Sequence, residues 1–217
     1  MAEVISSPSI TAQKSETQQQ AINLFLVGFL VLFLELSCIR WFASYVIFLQ
    51  FFTNVALIAS FLGMTCGCLA ASRRQNWLEY FPLIALGAVV AALTTAAGLH
   101  LWSGVWSPQE AFFATEYRDP DLAKFVVPIE AIAAFFFVLI ALMFVGLGQV
   151  LGRAFDAYPN RILGYTLNIG GSLAGIAGFS VLSFLQAPPP VWFLVSCVGV
   201  PICCAKPARL RGPGYWR

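Results

Sequence analysis

Residues Ala21–Arg74 read AINLFLVGFLVLFLELSCIRWFASYVIFLQFFTNVALIASFLGMTCGCLAASRR. The stretch is apolar almost throughout and holds two charged side chains, Glu35 and Arg40, before it closes on Arg73 and Arg74. A helix of about 20 residues crosses a hydrocarbon core of about 30 Å. The stretch therefore crosses a bilayer twice and turns back once. Charged groups inside such a segment are costly and face the bundle interior or a polar cavity.

The rest of the chain agrees with a membrane reading. Of its 217 residues 59% are hydrophobic and only 10% charged, and the mean hydropathy is +0.81. A soluble domain carries about 25% charged residues. The expected fold class is all-α: a polytopic helical membrane bundle of about six transmembrane helices. No region is both polar and long enough to form a separate soluble domain. The cysteines Cys38, Cys66, Cys68, Cys197, Cys203 and Cys204 all stand in apolar surroundings. A disulfide framework belongs to small secreted domains. Residues two apart, such as Cys66 and Cys68, project about 200° from each other on a helix. Neither a metal site nor a cofactor is expected.

Working outward, residues 1–20 are rich in Ser and Gln and have no apolar core, so they read as a disordered cytoplasmic tail. The transmembrane domain covers 21–205, with spans at about 21–40, 52–71, 80–101, 126–151, 164–185 and 191–205. Trp41, Phe42 and Tyr45 resemble an aromatic belt, so 41–50 is expected along or re-entering the interface. Pro188, Pro189 and Pro190 are expected to end the fifth span, and Pro201 interrupts the sixth. Residues 206–217 form a basic tail. Six spans place Lys14, Arg73, Arg74, Arg153, Arg161, Lys206, Arg209, Arg211 and Arg217 on one side. The other side holds Arg118 and Lys124 among Glu110, Glu116, Asp119 and Asp121. By the positive-inside rule both termini are cytoplasmic and the 102–125 loop is outside. The expected location is integral to a membrane, of the bacterial cytoplasmic kind.

Helices associate in lipid through small residues that let backbones approach. Thr53, Ala56, Ser60, Gly63, Gly67 and Ala71 make such a stripe on the second span. Gly148 and Gly152 stand one turn apart on the fourth. Tyr165, Asn168, Ser172 and Gly175 share a face of the fifth, with Gly171 beside them. The candidate intramembrane polar site comprises Glu35, Arg40, Asn168, Tyr165 and Glu130. Five residues separate Glu35 from Arg40, about 140° around a helix and about 7.5 Å along it. Each is thus expected to find a partner on another span, as a structural bond or as part of a substrate or proton site. His100, a lone histidine, makes no metal site.

Two blocks carry a family resemblance. Glu35-Leu-Ser-Cys-Ile-Arg40-Trp41, with Ser60-Phe-Leu-Gly63 through Gly67 to Arg73-Arg74, resembles the start of the membrane-embedded spermidine synthase-like proteins. Gly164-Tyr165-Thr-Leu-Asn168-Ile-Gly-Gly171-Ser172-Leu-Ala-Gly175, followed by Pro188, Pro189 and Trp192, is similar to their later span. The likeness implies a multi-helix module of the kind fused ahead of a soluble aminopropyltransferase domain. That domain binds its nucleotide-derived donor on a glycine-rich loop, and this chain has no strand–glycine loop–helix unit. The family's transferase residues therefore have no positions here.

Three expectations follow. The chain handles or transports a small cationic or amphipathic metabolite such as a polyamine, with Glu35 as counter-charge and the acidic outer loop concentrating cations. Alternatively it is a non-transporting anchor or assembly subunit for a soluble aminopropyltransferase-like partner, or a truncated fused enzyme. No Ser/His, Cys/His or paired-carboxylate arrangement supports catalysis by the chain alone. The basic residues follow topology and argue against nucleic-acid binding. Homo-oligomerisation is a further expectation, since six spans are few for a transporter.

Overall fold

One helix organises the bundle. Helix α1 spans Ile10–Tyr45, 36 residues or about 54 Å at 1.5 Å per residue, and packs against every other helix. Leu24, Val27, Val31, Leu34, Cys38 and Phe42 are buried along one face, and Leu30, Phe33 and Trp41 along the adjoining one. A helix that is apolar all round belongs in the middle of a bundle. The computed structural model describes residues 10–45, 53–102 and 129–204. The remaining helices are α2 (Thr53–Leu69), α3 (Phe81–Trp102), α4 (Ile129–Ala157), α5 (Arg161–Phe184) and α6 (Pro189–Cys204). A 3-10 turn at Trp77–Tyr80 leads into α3. No strand occurs among the described residues, and the fold is an all-α helical bundle.

Among the described residues four segments are long and apolar enough to cross a membrane: Glu16–Ser44, Trp77–Thr95, Ala131–Ala157 and Arg161–Phe184. The chain is an integral membrane protein. Helices α2 and α6 are apolar but shorter, at 17 and 16 residues, or about 25 Å.

The helix boundaries differ from the sequence expectation in four places. Residues 10–20, expected as a disordered tail, are helical. Ala, Gln, Lys and Glu dominate there without Gly or Pro, so a helix already nucleated by the apolar span extends backward at little cost. Trp41 and Phe42 do not form a belt along an interface. They continue α1 and are buried, with the Trp41 ring 4.9 Å from Phe42 and 5.2 Å from Phe193 of α6. Helix α4 runs past residue 151 to Ala157 and stops just before Pro159, where proline disfavours helix in the preceding residue.

The prolines, finally, do not end the fifth span. Gln186 adopts a left-handed φ of 52°, and its N–H donates to Ser183 O at 3.1 Å while Ala187 N–H reaches Leu182 O at 3.0 Å. This is the Schellman arrangement, which satisfies two orphan carbonyls. Pro189 then opens α6, in the first turn where a missing N–H costs nothing. Asn160 caps the other end of α5, its Oδ1 accepting from Ile162 N at 3.1 Å and Leu163 N at 3.2 Å. Helix α6 continues through Pro201 to Cys204. The expected acidic outer loop and the basic C-terminal tail lie outside the described residues.

Two helix pairs meet at backbone distance. A Cβ on Gly63 of α2 would run into Ala141 O of α4, and one on Gly67 into Val145 O. From the facing side, a Cβ on Gly148 would strike Met64 O, and one on Gly152 would sit 2.9 Å from the Ala71 Cβ. Helices α1 and α5 repeat the device: Gly171 abuts Phe25 O, and Gly175 abuts Phe29 O. The sequence stripes thus pack α2 on α4 and α5 on α1.

Candidate functional site

Glu35 sits ten residues before the end of α1 and is 5% exposed. Its Oε1 accepts a 2.8 Å hydrogen bond from Ser60 Oγ of α2. Ser60 is itself buried and lies equally close, 2.8 Å, to Leu57 O. A hydroxyl has one proton and two lone pairs, so Ser60 shares its proton between them or takes one from Glu35. Ser60 stands in the small-residue stripe of the sequence, where its role looked like packing alone.

Arg40 does not pair with Glu35. Its guanidinium donates to Ser183 Oγ of α5 and lies 5.8 Å from the Trp192 ring centroid of α6. That contact is a cation–π arrangement, and it ties α1, α5 and α6 together at one end. Each charged group of the first span thus has its partner on another helix.

The other candidates stand apart from these two. Asn168 packs its backbone carbonyl and side chain against Gly28, and a Cβ on Gly28 would lie 2.7 Å from Asn168 Oδ1. That Oδ1 is buried without a hydrogen-bond partner. Gly28 is seven residues before Glu35, about 10 Å along α1. Tyr165 does not share the α1-facing side of Asn168, Ser172 and Gly175. It is 60% exposed, with its ring 4.9 Å from Phe155, because it lies about 100° round the helix from Gly164, which faces Leu24 of α1. Glu130 falls in the first turn of α4, and its side chain lies outside the described residues. The five candidates therefore form no single cluster.

The richest polar constellation is one the sequence reading passed over. Gln149 of α4 is fully buried. Its Nε2 donates to Ala70 O at 2.9 Å and Gln75 O at 2.7 Å, and its Oε1 accepts from Trp77 N at 3.0 Å. One turn on, Arg153 Nε donates to Ala71 O at 3.0 Å and Nη2 to Arg73 O at 2.7 Å, while Nη1 bonds Asn76 Oδ1. The planar, multi-donor guanidinium suits this array of carbonyls. It satisfies acceptors just past the end of α2 that helix geometry leaves open. Arg153 was expected in a loop as a topology charge; it sits on a helix and holds the α2–α3 turn. The signal was available: an amide inside an apolar run needs partners in lipid.

The described residues line two apolar cavities against α6. One of about 360 Å³ lies between α1 (Leu26, Phe29, Leu30) and α6 (Leu194, Val195, Val198). The other, about 470 Å³, separates α3 (Leu86, Val89, Leu93) from α6 (Pro190, Phe193), with Trp41 at its wall. Neither is lined by Glu35, Arg40 or Asn168. Among the described residues no three His, Cys, Asp or Glu side chains converge as metal ligands. Compared with known proteins, the chain matches no family model, no curated protein and no solved structure.

Proposed function

We propose that this chain is a non-transporting membrane anchor, related to the transmembrane part of the spermidine synthase-like proteins, that presents a fixed basic face to a soluble partner. The observation that carries the reading is the use of Gln149 and Arg153. Together they bond Ala70, Ala71, Arg73, Gln75, Asn76 and Trp77 and so fix the α2–α3 turn. Arg73 and Arg74 project from that turn, both exposed. A basic pair on a rigid platform suits docking of an acidic surface, since its charges need no ordering on contact. The positive-inside rule makes this face cytoplasmic. A soluble aminopropyltransferase-like protein is the partner that the sequence resemblance suggests. The apolar lining of both cavities, away from Glu35, supports an anchor over a conduit.

A second reading has one observation in its favour. Glu35 is a buried carboxyl inside a span, bonded across helices, and intramembrane ionisable groups mark ion or substrate paths. In that reading the module handles a polyamine or similar cation. Uptake of labelled spermidine into proteoliposomes separates the two. The anchor reading expects none above empty vesicles, from wild type or Glu35→Gln. Saturable uptake that Glu35→Gln abolishes overturns it in favour of the second.

A further inference from the structure

The close contacts divide the bundle in two. Gly63, Gly67, Gly146, Gly148 and Gly152 approach partners only within α2, α4 and the Trp77–Tyr80 turn. Gly28, Gly171, Gly175, Gly178 and Gly199 have their nearest neighbours within α1, α5 and α6, while Gly164, beside the α4–α5 connection, meets side chains of both Leu24 and Phe155. The hydrogen bonds of Gln149 and Cys68 stay inside the first group, and Arg153 bonds Ala71, Arg73, Gln75 and Asn76 there. Those of Arg40 and Ser172 stay inside the second. Across the boundary the contacts are of another kind. Large side chains meet there, such as Phe42 against Phe136 with ring centroids 5.7 Å apart. The 470 Å³ cavity between α3 and α6 lies on the same boundary. Among the described residues, Ser60 Oγ to Glu35 Oε1 is a hydrogen bond that crosses it.

We propose that the α2–α3–α4 half and the α1–α5–α6 half move against each other as rigid bodies, with the Ser60–Glu35 hydrogen bond as the latch between them. In the α2–α4 and α1–α5 pairs backbones interlock at glycines, so sliding one helix past the other drives main chain into main chain. Helix α3 is carried by the turn that Gln149 holds, and α6 by Leu30 and Arg40 of α1. Between the halves, apolar side chains touch apolar side chains, and lipid tails replace such contacts at little cost. A hydrogen bond between buried groups has no equivalent in lipid. It therefore sets the register of the two halves, and the α3–α6 cavity is where their separation changes. The α3–α6 gap widens when the latch opens. The device is independent of whether Glu35 also meets a cation.

Pulsed electron–electron distance measurements on the full chain test this. Spin labels on genetically encoded keto side chains leave the native cysteines in place. Leu62 of α2 and Ile169 of α5, both exposed, report across the halves. Leu62 with Leu86 of α3, and Ile169 with Leu194 of α6, report within each half. Ser60→Ala and Glu35→Leu should shift or broaden the cross-half distance by about 2 Å, the scale of helix shifts at bistable interfaces. The two within-half distances should stay as in wild type. Glu35→Gln keeps a group that bonds Ser60 and should keep the wild-type distribution. Should Glu35→Leu fail to fold, Ser60→Ala, which removes one oxygen, carries the test. An unmoved cross-half distance in Ser60→Ala overturns the proposal. So does an equal change within the halves, or a Glu35→Gln distribution as altered as that of Ser60→Ala.

Discussion

Replacing Gln149 by Leu removes the amide that joins α4 to the α2–α3 turn while keeping most of the side-chain volume. The three bonds lost are not equivalent. Ala70 O still accepts from Arg73 N at 3.0 Å. Gln75 O is still reached by Arg153 Nη2 at 3.4 Å. Trp77 N loses the acceptor it holds at 3.0 Å. Leaving a buried donor unsatisfied costs about 1–3 kcal/mol, and polar bonds in membrane proteins contribute about 0.6 kcal/mol each. With one stranded N–H and two weakened carbonyls, Gln149→Leu should destabilise the fold by about 3 kcal/mol, which is roughly a hundredfold in the unfolding equilibrium. Reversible unfolding in mixed micelles measures this. A loss below about 0.5 kcal/mol, the range of ordinary surface changes, would show that the turn holds itself and that Gln149 is a passenger.

Glycine contacts give a paired prediction. Gly171→Ala sets a methyl against Phe25 O and should cost about 1–3 kcal/mol as overpacking. Gly87→Ala meets nothing within 4 Å and should instead stabilise by up to about 1 kcal/mol through helix propensity. The same unfolding assay reads both, and equal signs would refute the contact geometry. Gln186→Gly relieves a left-handed side-chain-bearing residue and should raise stability by about 1 kcal/mol. A lower midpoint of thermal unfolding for this variant would contradict the cap at the end of α5.

Much of the fold was legible because membrane helices announce themselves by composition, and because the small-residue stripes at Gly63, Gly67, Gly148 and Gly152 can serve no purpose but close approach. Pairing was not legible. Nothing in the stripe of α2 distinguishes α4 from α1 as its partner, since any glycine-lined helix accepts another. Of the site, the separation of Glu35 from Arg40 followed from helix geometry, but Ser60 and Ser183 as partners did not. A serine in a span reads equally as a small spacer or as a donor until the facing helix is known. Tyr165 failed for the opposite reason: its spacing from Asn168 suggested a shared face, yet the contact line runs through Gly164, Gly171 and Gly175, and Tyr165 lies about 100° round the helix from Gly164, which meets Leu24 of α1. Gln149 was hidden by length, because the expected end of α4 at 151 placed it next to a loop.

The choice of residue at position 35 bears on both functional readings. A hydrogen bond to Ser60 needs only a polar group of the right length, and glutamine supplies one without an ionisable proton. Carrying a carboxyl into a span is more costly than carrying an amide. If the Ser60 contact were purely structural, Glu35→Gln would be neutral or stabilising in unfolding measurements and silent in uptake. Arg40 provides the contrast: it is exposed, its long stem reaches the helix end, and a charge there has an outlet. Glu35 has no such outlet, and it occupies the boundary between the two glycine-locked halves. In the cation-handling reading, proton or cation occupancy at that joint would change the register of the two bodies; in the anchor reading the carboxyl serves only as the acceptor of Ser60. Stability and uptake of Glu35→Gln, measured on one preparation, therefore decide whether the latch is only mechanical.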